Sequence, residues 1–333
     1  MRHKKFRKLS LGLLVTLSLL ILVSLSIGDS SFSATTLIDL LTGKADSALV
    51  FIISKIRLPR LLAALFGGAS LAISGNILQS LTKNPLADSG ILGINAGAGL
   101  VITVFITFDF IASSQSLYLL PLFAMLGALL TVTLVYLMSS TKSAPLNPVT
   151  LIITGVGLSM MLSSLMIALV GNINPYKVDY IVNWLSGRIT GDDWPSLMLI
   201  MPLLLILWLL SYRRAYQWNI MGLSEETALG LGLNLRRERQ LALLLASCLA
   251  ALSVILIGNI AFIGLMAGHL SRQLVGDDHR LNLPISALSG MILLLLADTI
   301  TRVFLVGSNI PTGIIMSIIG APYFLYLMTK NKI

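Results

Sequence analysis

Residues 212–240 read YRRAYQWNIMGLSEETALGLGLNLRRERQ, a polar island set between two long apolar runs. The island carries Arg213, Arg214, Arg236, Arg237 and Arg239, and all three glutamates of the chain, Glu225, Glu226 and Glu238. Ser224 stands where a helix N-cap accepts a backbone hydrogen bond, and Glu225 and Glu226 fill the first turn, where the helix dipole favours negative charge. Gly230 and Gly232 stop or bend that helix, and Asn234 opens a second one. The stretch therefore predicts two short helices lying at a membrane face, a shape suited to being held by another molecule. The competing reading is a solvated connecting loop.

What surrounds the island decides the fold class. Of the 333 residues, 56% are hydrophobic and 11% charged, against about 25% charged in soluble domains. The apolar runs are continuous and do not alternate, so the spanning elements are helices and not barrel strands. The fold class is all-α, a polytopic membrane protein, with the whole chain 1–333 as a single transmembrane domain. Cys248 lies among apolar residues and reads as a small packing residue. The net charge of +9 reflects basic loops on one side of a membrane, and no nucleic-acid partner is expected.

Ten spans are expected. Residues 1–10 are basic and lead into an apolar run from Leu11 to Ile27, longer than the core of a usual signal peptide and so read as a retained first span. Residues 29–55 predict a loop with a short outer helix. The second span starts at Arg57-Leu-Pro-Arg60 and runs to about Leu81. The others are near 91–108, 117–138, 149–170, a short sixth ending at Leu210, 241–257, a short eighth at 260–275, 284–304 and 311–328. Crossing a bilayer takes about 20 residues, which makes the sixth and eighth the marginal ones.

An even number of spans puts both termini on one side. Sixteen of the 23 Lys and Arg fall on that side, so the termini and the island are expected in the cytoplasm. Trp184 and Trp194 then belong at the outer interface, Trp208 and Trp218 at the inner one. Spans two to five and seven to ten can form an inverted repeat, with Gly75-Asn-Ile77 and Gly258-Asn-Ile260 in similar places. Gly67, Gly68, Ala72 and Gly75, and the run Asn95-Ala-Gly-Ala-Gly99, predict seams of close helix contact.

Missing chemistry narrows the function. His3, His269 and His279 form no metal-ligand spacing with one another or with Cys248. Gly43-Lys44 is followed by Ala45 and is not a phosphate-binding loop. No catalytic, metal or cofactor site is expected, and the chain is not read as an enzyme. Asp298 is the one carboxylate well inside a span, with Arg302 four residues on and on the same face. Two classes remain: the membrane subunit of a transporter driven by a separate ATPase that grips the island, and an ion-coupled secondary carrier using Asp298.

Ordered motifs then supply a resemblance. Arg57-Leu-Pro-Arg60, Gly75, Gln79, Asn84-Pro-Leu-Ala87, Leu92-Gly93 and Gly97-Ala98 resemble the FecCD family of permeases in ATP-driven importers for ferric siderophores, haem and cobalamin. Asn183-Trp-Leu-Ser-Gly187, Gly222–Gly230, Gly258–Leu265, His269, Arg272 and Gly276-Asp-Asp-His-Arg280 continue it. Ala297-Asp298, Arg302, Pro311-Thr-Gly313 and Gly320-Ala-Pro322 complete it. One departure is Ala267-Gly268, where the family usually has Val-Pro before the histidine.

The resemblance implies a BtuC-like fold of ten helices in the cytoplasmic membrane. It implies a second permease subunit, identical or related, two ATP-binding-cassette ATPase subunits and an extracytoplasmic substrate-binding protein. It assigns Ser224, Glu225, Glu226, Thr227, Ala228, Leu229 and Gly230, within about 212–240, to ATPase coupling. Arg57, Arg60 and Arg302, expected at the outer mouth, would receive acidic side chains of the binding protein. Arg57 and Arg60 share a face and oppose the local helix dipole; anchoring to lipid headgroups is the rival role. The fifth and tenth spans are expected to line the path, with Ser159, Met160, Ser163 and Ser164 as candidates. A ferric siderophore is the expected substrate, with haem or cobalamin as alternatives.

Overall fold

Every expected span falls on a helix. The structure is a computed structural model and describes residues 2–27, 46–108, 110, 120–140, 148–171, 174–189, 194–304 and 310–330. The first five helices are α1 (Arg2–Ser26), α2 (Ser47–Thr82), α3 (Ile94–Thr107), α4 (Leu120–Ser139) and α5 (Pro148–Val170). A short α6 (Pro175–Leu185) precedes α7 (Trp194–Arg213). The island folds as α8 (Ala215–Met221), α9 (Glu225–Gly230) and the first turns of α10 (Leu235–Ile257). Then come α11 (Ile263–Val275), α12 (His279–Phe304) and α13 (Thr312–Lys330). Eight of these are long and apolar enough to cross a bilayer by themselves, and no strand occurs among the described residues.

The short spans are not quite the expected ones. The sixth, α7, has 20 residues, while the third and eighth, α3 and α11, have 14 and 13. Each of the latter two begins from broken backbone inside the bundle. Gly93, at φ +74°, sits ahead of α3, and Phe262, at φ +70°, ahead of α11. Irregular backbone at such depth needs protein partners. Asp88 provides one, accepting from the Phe262 N–H at 3.3 Å.

α2 is the central post. It runs from Ser47, ten residues before the expected start, and only the part of the expected outer loop at 28–45 lies outside the described residues. The reason is a π-turn over Ile52–Arg57, in which the Leu58 N–H donates to Ile53, five residues back. Pro59, read as a helix start, would clash with a carbonyl four residues earlier in a regular helix, and the widened turn lets the helix run through it. The shift also frees the Ser54 carbonyl, which accepts from the Trp194 indole at 2.8 Å.

The expected small-residue seams hold. α2 packs most closely against α12 and α10. A Cβ on Gly290 would stand 2.3 Å from the Gly68 carbonyl oxygen, and one on Gly75 would stand 2.4 Å from Gly264 Cα. On α3, Gly97 meets Gly127 of α4 with the same closeness. In lipid there is no water to expel, so this backbone contact and buried hydrogen bonds carry the association. Asn76 Nδ2 donates to Asn282 Oδ1 at 2.8 Å, Ser74 to the Ala246 carbonyl at 2.7 Å, and Ser286 to the Ala72 carbonyl at 3.1 Å.

Packing gives three features of the sequence definite roles. Gly75 lies in mid-helix in a seam, whereas Gly258, at φ +72°, ends α10. The two matching tripeptides therefore have different roles and do not support a repeat. Trp218 is fully buried, and Trp208 stacks on Phe66 and donates to Ser70 at 2.8 Å. Trp218 is core, and Trp208 is half-buried against α2. α11 runs unbroken through Gly268, which forces no bend where the family's proline would, and a Cβ there would meet Gln79 Oε1 at 2.6 Å. The glycine makes room for that carboxamide.

Candidate functional site

The candidate side chains gather at two ends of the bundle. At one end, Asp298 on α12 is fully buried. Arg60 of α2 approaches its Oδ1 with Nη2 at 2.8 Å and Nε at 2.9 Å. Arg302, one turn along α12, donates from Nε to Oδ2 at 3.0 Å. Thr312, at the start of α13, adds a 3.3 Å bond to Oδ1. The expected Asp298–Arg302 pair is thus a clamp in which two guanidinium groups share one carboxylate, leaving excess positive charge.

The three arginines expected at the mouth come together only in part. Arg60 and Arg302 keep 24% and 16% of their side chains exposed. Arg302 also donates to the Ser24 carbonyl at 3.1 Å, and Arg57 to the Leu25 carbonyl. Arg57 is only 7% exposed. The shared face of Arg57 and Arg60 therefore divides, one side chain tying down α1 and the other reaching Asp298. The α1 end, lacking an acidic residue of its own, supplies carbonyls to these donors.

At the other end lies the island. Ser224 Oγ accepts from the Thr227 N–H at 3.2 Å and Asn234 Oδ1 from the Arg237 N–H at 3.1 Å, as both cap readings predicted. α9 closes through Gly232, at φ +80°: its N–H donates to Leu229, and the Leu233 N–H donates to Ala228. This double closure satisfies carbonyls that would otherwise be orphaned at the helix end. Arg239 pairs with Glu225, and its guanidinium holds that carboxyl below its ordinary value of 4.5. Arg214 pairs with Glu238 at 2.9 Å.

Of the seven coupling candidates, Ala228 is wholly buried within the chain, whereas Leu229 is 59% exposed. Leu223 and Leu231 are exposed beside it. A capped, ion-paired helix of six residues thus presents leucines outward on a polar segment.

Reasoning from sequence missed how the island is fastened. Lys83, in the left-handed conformation at the end of α2, donates from Nζ to the Leu223 carbonyl at 2.8 Å. Asn219 on α8 donates to Asp278 Oδ1 at 2.8 Å and accepts from the His279 N–H at 2.8 Å and its Nδ1 at 2.7 Å. Asp278 caps α12 by accepting from the Arg280 N–H at 3.0 Å. Burial pushes the Asp278 carboxyl up, but the Asn219 amide, the Arg280 N–H and the neighbouring cations outweigh it and hold it below the ordinary range. These groups line an open cavity of about 660 Å³ together with Ser80, Arg272 and Trp218. Asp277-Asp278 ahead of an apolar run was the available signal, since it is an N-cap pattern.

The four path candidates lie on α5. Met160 is 66% exposed, Ser164 is exposed with its hydroxyl on the Met160 carbonyl at 2.9 Å, and Ser159 and Ser163 are half-buried. Among the described residues no cluster of three His, Cys, Asp or Glu could hold a metal.

With this geometry in hand, comparison with known proteins gives one answer. The model of the FecCD transport family matches residues 16–330. An iron(3+)-hydroxamate import system permease of Bacillus subtilis is 37% identical over 313 residues, 92% of each chain. A hemin transport system permease of Yersinia pestis is 35% identical, covering 98% of this chain and 96% of its own. A metal-chelate type ABC transporter solved in an inward-facing conformation superposes with a TM-score of 0.84 at 32% identity, over 98% of this chain and 99% of its own. The match runs along residues 16–330 and the fold agrees over nearly the whole chain: the chain is a multi-pass membrane permease of the FecCD transport family.

Proposed function

We propose that this permease carries a ferric siderophore or a related iron chelate inward across the cytoplasmic membrane, driven by separate ATP-binding-cassette ATPase subunits. Both termini and the island face the cytoplasm in this reading. The observation that carries it is α9, whose caps and the Glu225–Arg239 pair hold a rigid six-residue helix with Leu229 exposed. With Leu223 and Leu231 exposed beside Leu229, the polar segment presents an apolar patch of the kind a partner covers. The relatives named for iron(3+)-hydroxamate, iron(3+)-citrate and hemin import support the substrate class. A second permease subunit, against which α5 and α13 would enclose the path, and an extracytoplasmic binding protein complete the assembly.

The clamp fits the docking role in a limited way. Arg60 and Arg302 offer partly exposed guanidinium edges with one carboxylate between them, so an acidic side chain from outside would find uncompensated charge. A contact of this kind is worth roughly 1.5–3 kcal/mol when partly desolvated. Arg57 contributes by fixing α1 and is a weaker docking residue. Arg60→Glu should abolish import while basal ATP hydrolysis persists, and reversing the matching carboxylate on the binding protein should restore part of it. Lipid anchoring predicts no such rescue.

The test of the whole reading is co-purification, from the native cell, with an ATP-binding-cassette ATPase and an extracytoplasmic binding protein. Binding of candidate chelates to that binding protein then names the substrate. A permease that purifies alone and transports alone would overturn the proposal.

A further inference from the structure

The island does more than present α9. Within a few residues, its elbow grips the ends of both central helices. Lys83 Nζ reaches the Leu223 carbonyl and so fastens the end of α2. Asn219 holds the start of α12 through three bonds, to Asp278 Oδ1, the His279 N–H and the His279 ring. The same ring lies 2.7 Å from Ser80 Oγ on α2 through its Nε2. α12 is in turn locked to α2 along its length by Asn282 on Asn76, Ser286 on the Ala72 carbonyl, and the Gly68–Gly290 contact. At its far end α12 carries Asp298, the carboxylate of the arginine clamp. From His279 to Asp298 is roughly 29 Å of helix at 1.5 Å per residue.

We propose that Asn219 is a positioning residue for transport: it joins the cytoplasmic coupling elbow to the N-terminus of α12, and α12 with α2 acts as a strut between the coupling helix and the arginine clamp. The inference rests on the functional reading above. Its physical basis is that Asn219 both donates and accepts at one helix end. The amide N–H meets a charged carboxylate while the amide oxygen meets the first free N–H of α12, so the joint holds α12 against axial and lateral displacement. The polar contacts of Asn219 go to Asp278 and His279 of the same chain, so its removal acts on transmission.

The test uses the full complex with its ATPase and binding protein in liposomes. Asn219→Asp keeps the acceptor for the His279 N–H but loses the donor and opposes two carboxylates. Asn219→Asp with Asp278→Asn restores a donor and an acceptor with the roles exchanged. The joint predicts that N219D assembles, keeps basal ATP hydrolysis within about twofold, and loses binding-protein stimulation, with import down at least about tenfold. It further predicts that the exchanged pair recovers both stimulation and import. Import by N219D equal to the unaltered complex would overturn the proposal. So would an exchanged pair as impaired as N219D, or basal hydrolysis and complex yield falling in proportion to import, since a merely structural role moves all of them together. If the unaltered complex shows no ATP-driven import, the failure lies with the functional reading and not with the joint.

Discussion

Replacing Asp298 by asparagine changes one atom and tests how the α1, α2, α12 and α13 ends are held. In the native clamp Oδ1 accepts two bonds from Arg60, at 2.8 and 2.9 Å, and one from Thr312, while Oδ2 accepts from Arg302 at 3.0 Å. The substituted amide would keep one oxygen for Arg60 and turn an N–H toward the Arg302 Nε–H, donor against donor. Both guanidinium groups would also lose the countercharge. Removing one partner of a buried pair costs about 3–5 kcal/mol. Because the arginines keep 24% and 16% exposure, water screens part of that, and about 2–3 kcal/mol is expected. Thr312→Val, which removes only the 3.3 Å bond, should cost under about 1 kcal/mol. Thermal unfolding at fixed detergent concentration reads both, and D298N should melt clearly below T312V. Melting of D298N within about 0.5 kcal/mol of the unaltered protein would refute the clamp. D298N should also leave the pH dependence of import unchanged, since both carboxylate oxygens are engaged and no proton is carried; a protein that exchanges but no longer accumulates would instead favour an ion-coupled carrier.

Leu229→Glu alters an exposed side chain outside the bilayer, so insertion and melting should be unchanged while ATPase binding weakens by about tenfold or more; unaltered co-purification would count against α9 as the coupling helix. Ala228, being buried, is the poorer test, because a charge there would disturb α9 itself. Gly290→Leu forces the α2–α12 seam apart and should cost about 1–3 kcal/mol or more in unfolding measurements, and an unchanged melt would show the seam to be looser than described. For Glu225 the folded pKa lies below 4.5 because of Arg239. Its small contribution is therefore full at neutral pH and lost as pH falls through the folded value. Amide protection of α9 should be flat from about pH 8 to about pH 6 and weaken only below about pH 4.5; weakening near neutrality would contradict the pair.

Local chemistry was legible in the residues. The Ser224 and Asn234 caps, the break at Gly232, the glycine seams on the second and third spans and a helix at each of the ten expected spans follow from spacing and side-chain type. What stayed hidden depends on neighbours. Pro59 looks like a helix start because a regular helix cannot accept it there, and nothing local announces the π-turn that carries α2 through. Periodicity puts Arg57 and Arg60 on one face, but it is the positions of Leu25 and of Asp298, 238 residues from Arg60, that send them to different partners. Asn219 looks like any polar loop residue until α12 is set beside it. Trp218 shows the same limit: an aromatic near a membrane edge reads as an anchor, and only packing against the α12 end shows it to be core.

The central claim is that ATP, and no ion gradient, drives an iron chelate inward through this permease. It is tested most directly by uptake of the ferric chelate into liposomes holding the permease, its ATPase and the loaded binding protein, with ATP supplied on the ATPase side and the proton gradient collapsed. Uptake should continue under those conditions and stop when hydrolysis is blocked. Uptake that ceases with the gradient and ignores ATP would contradict the account.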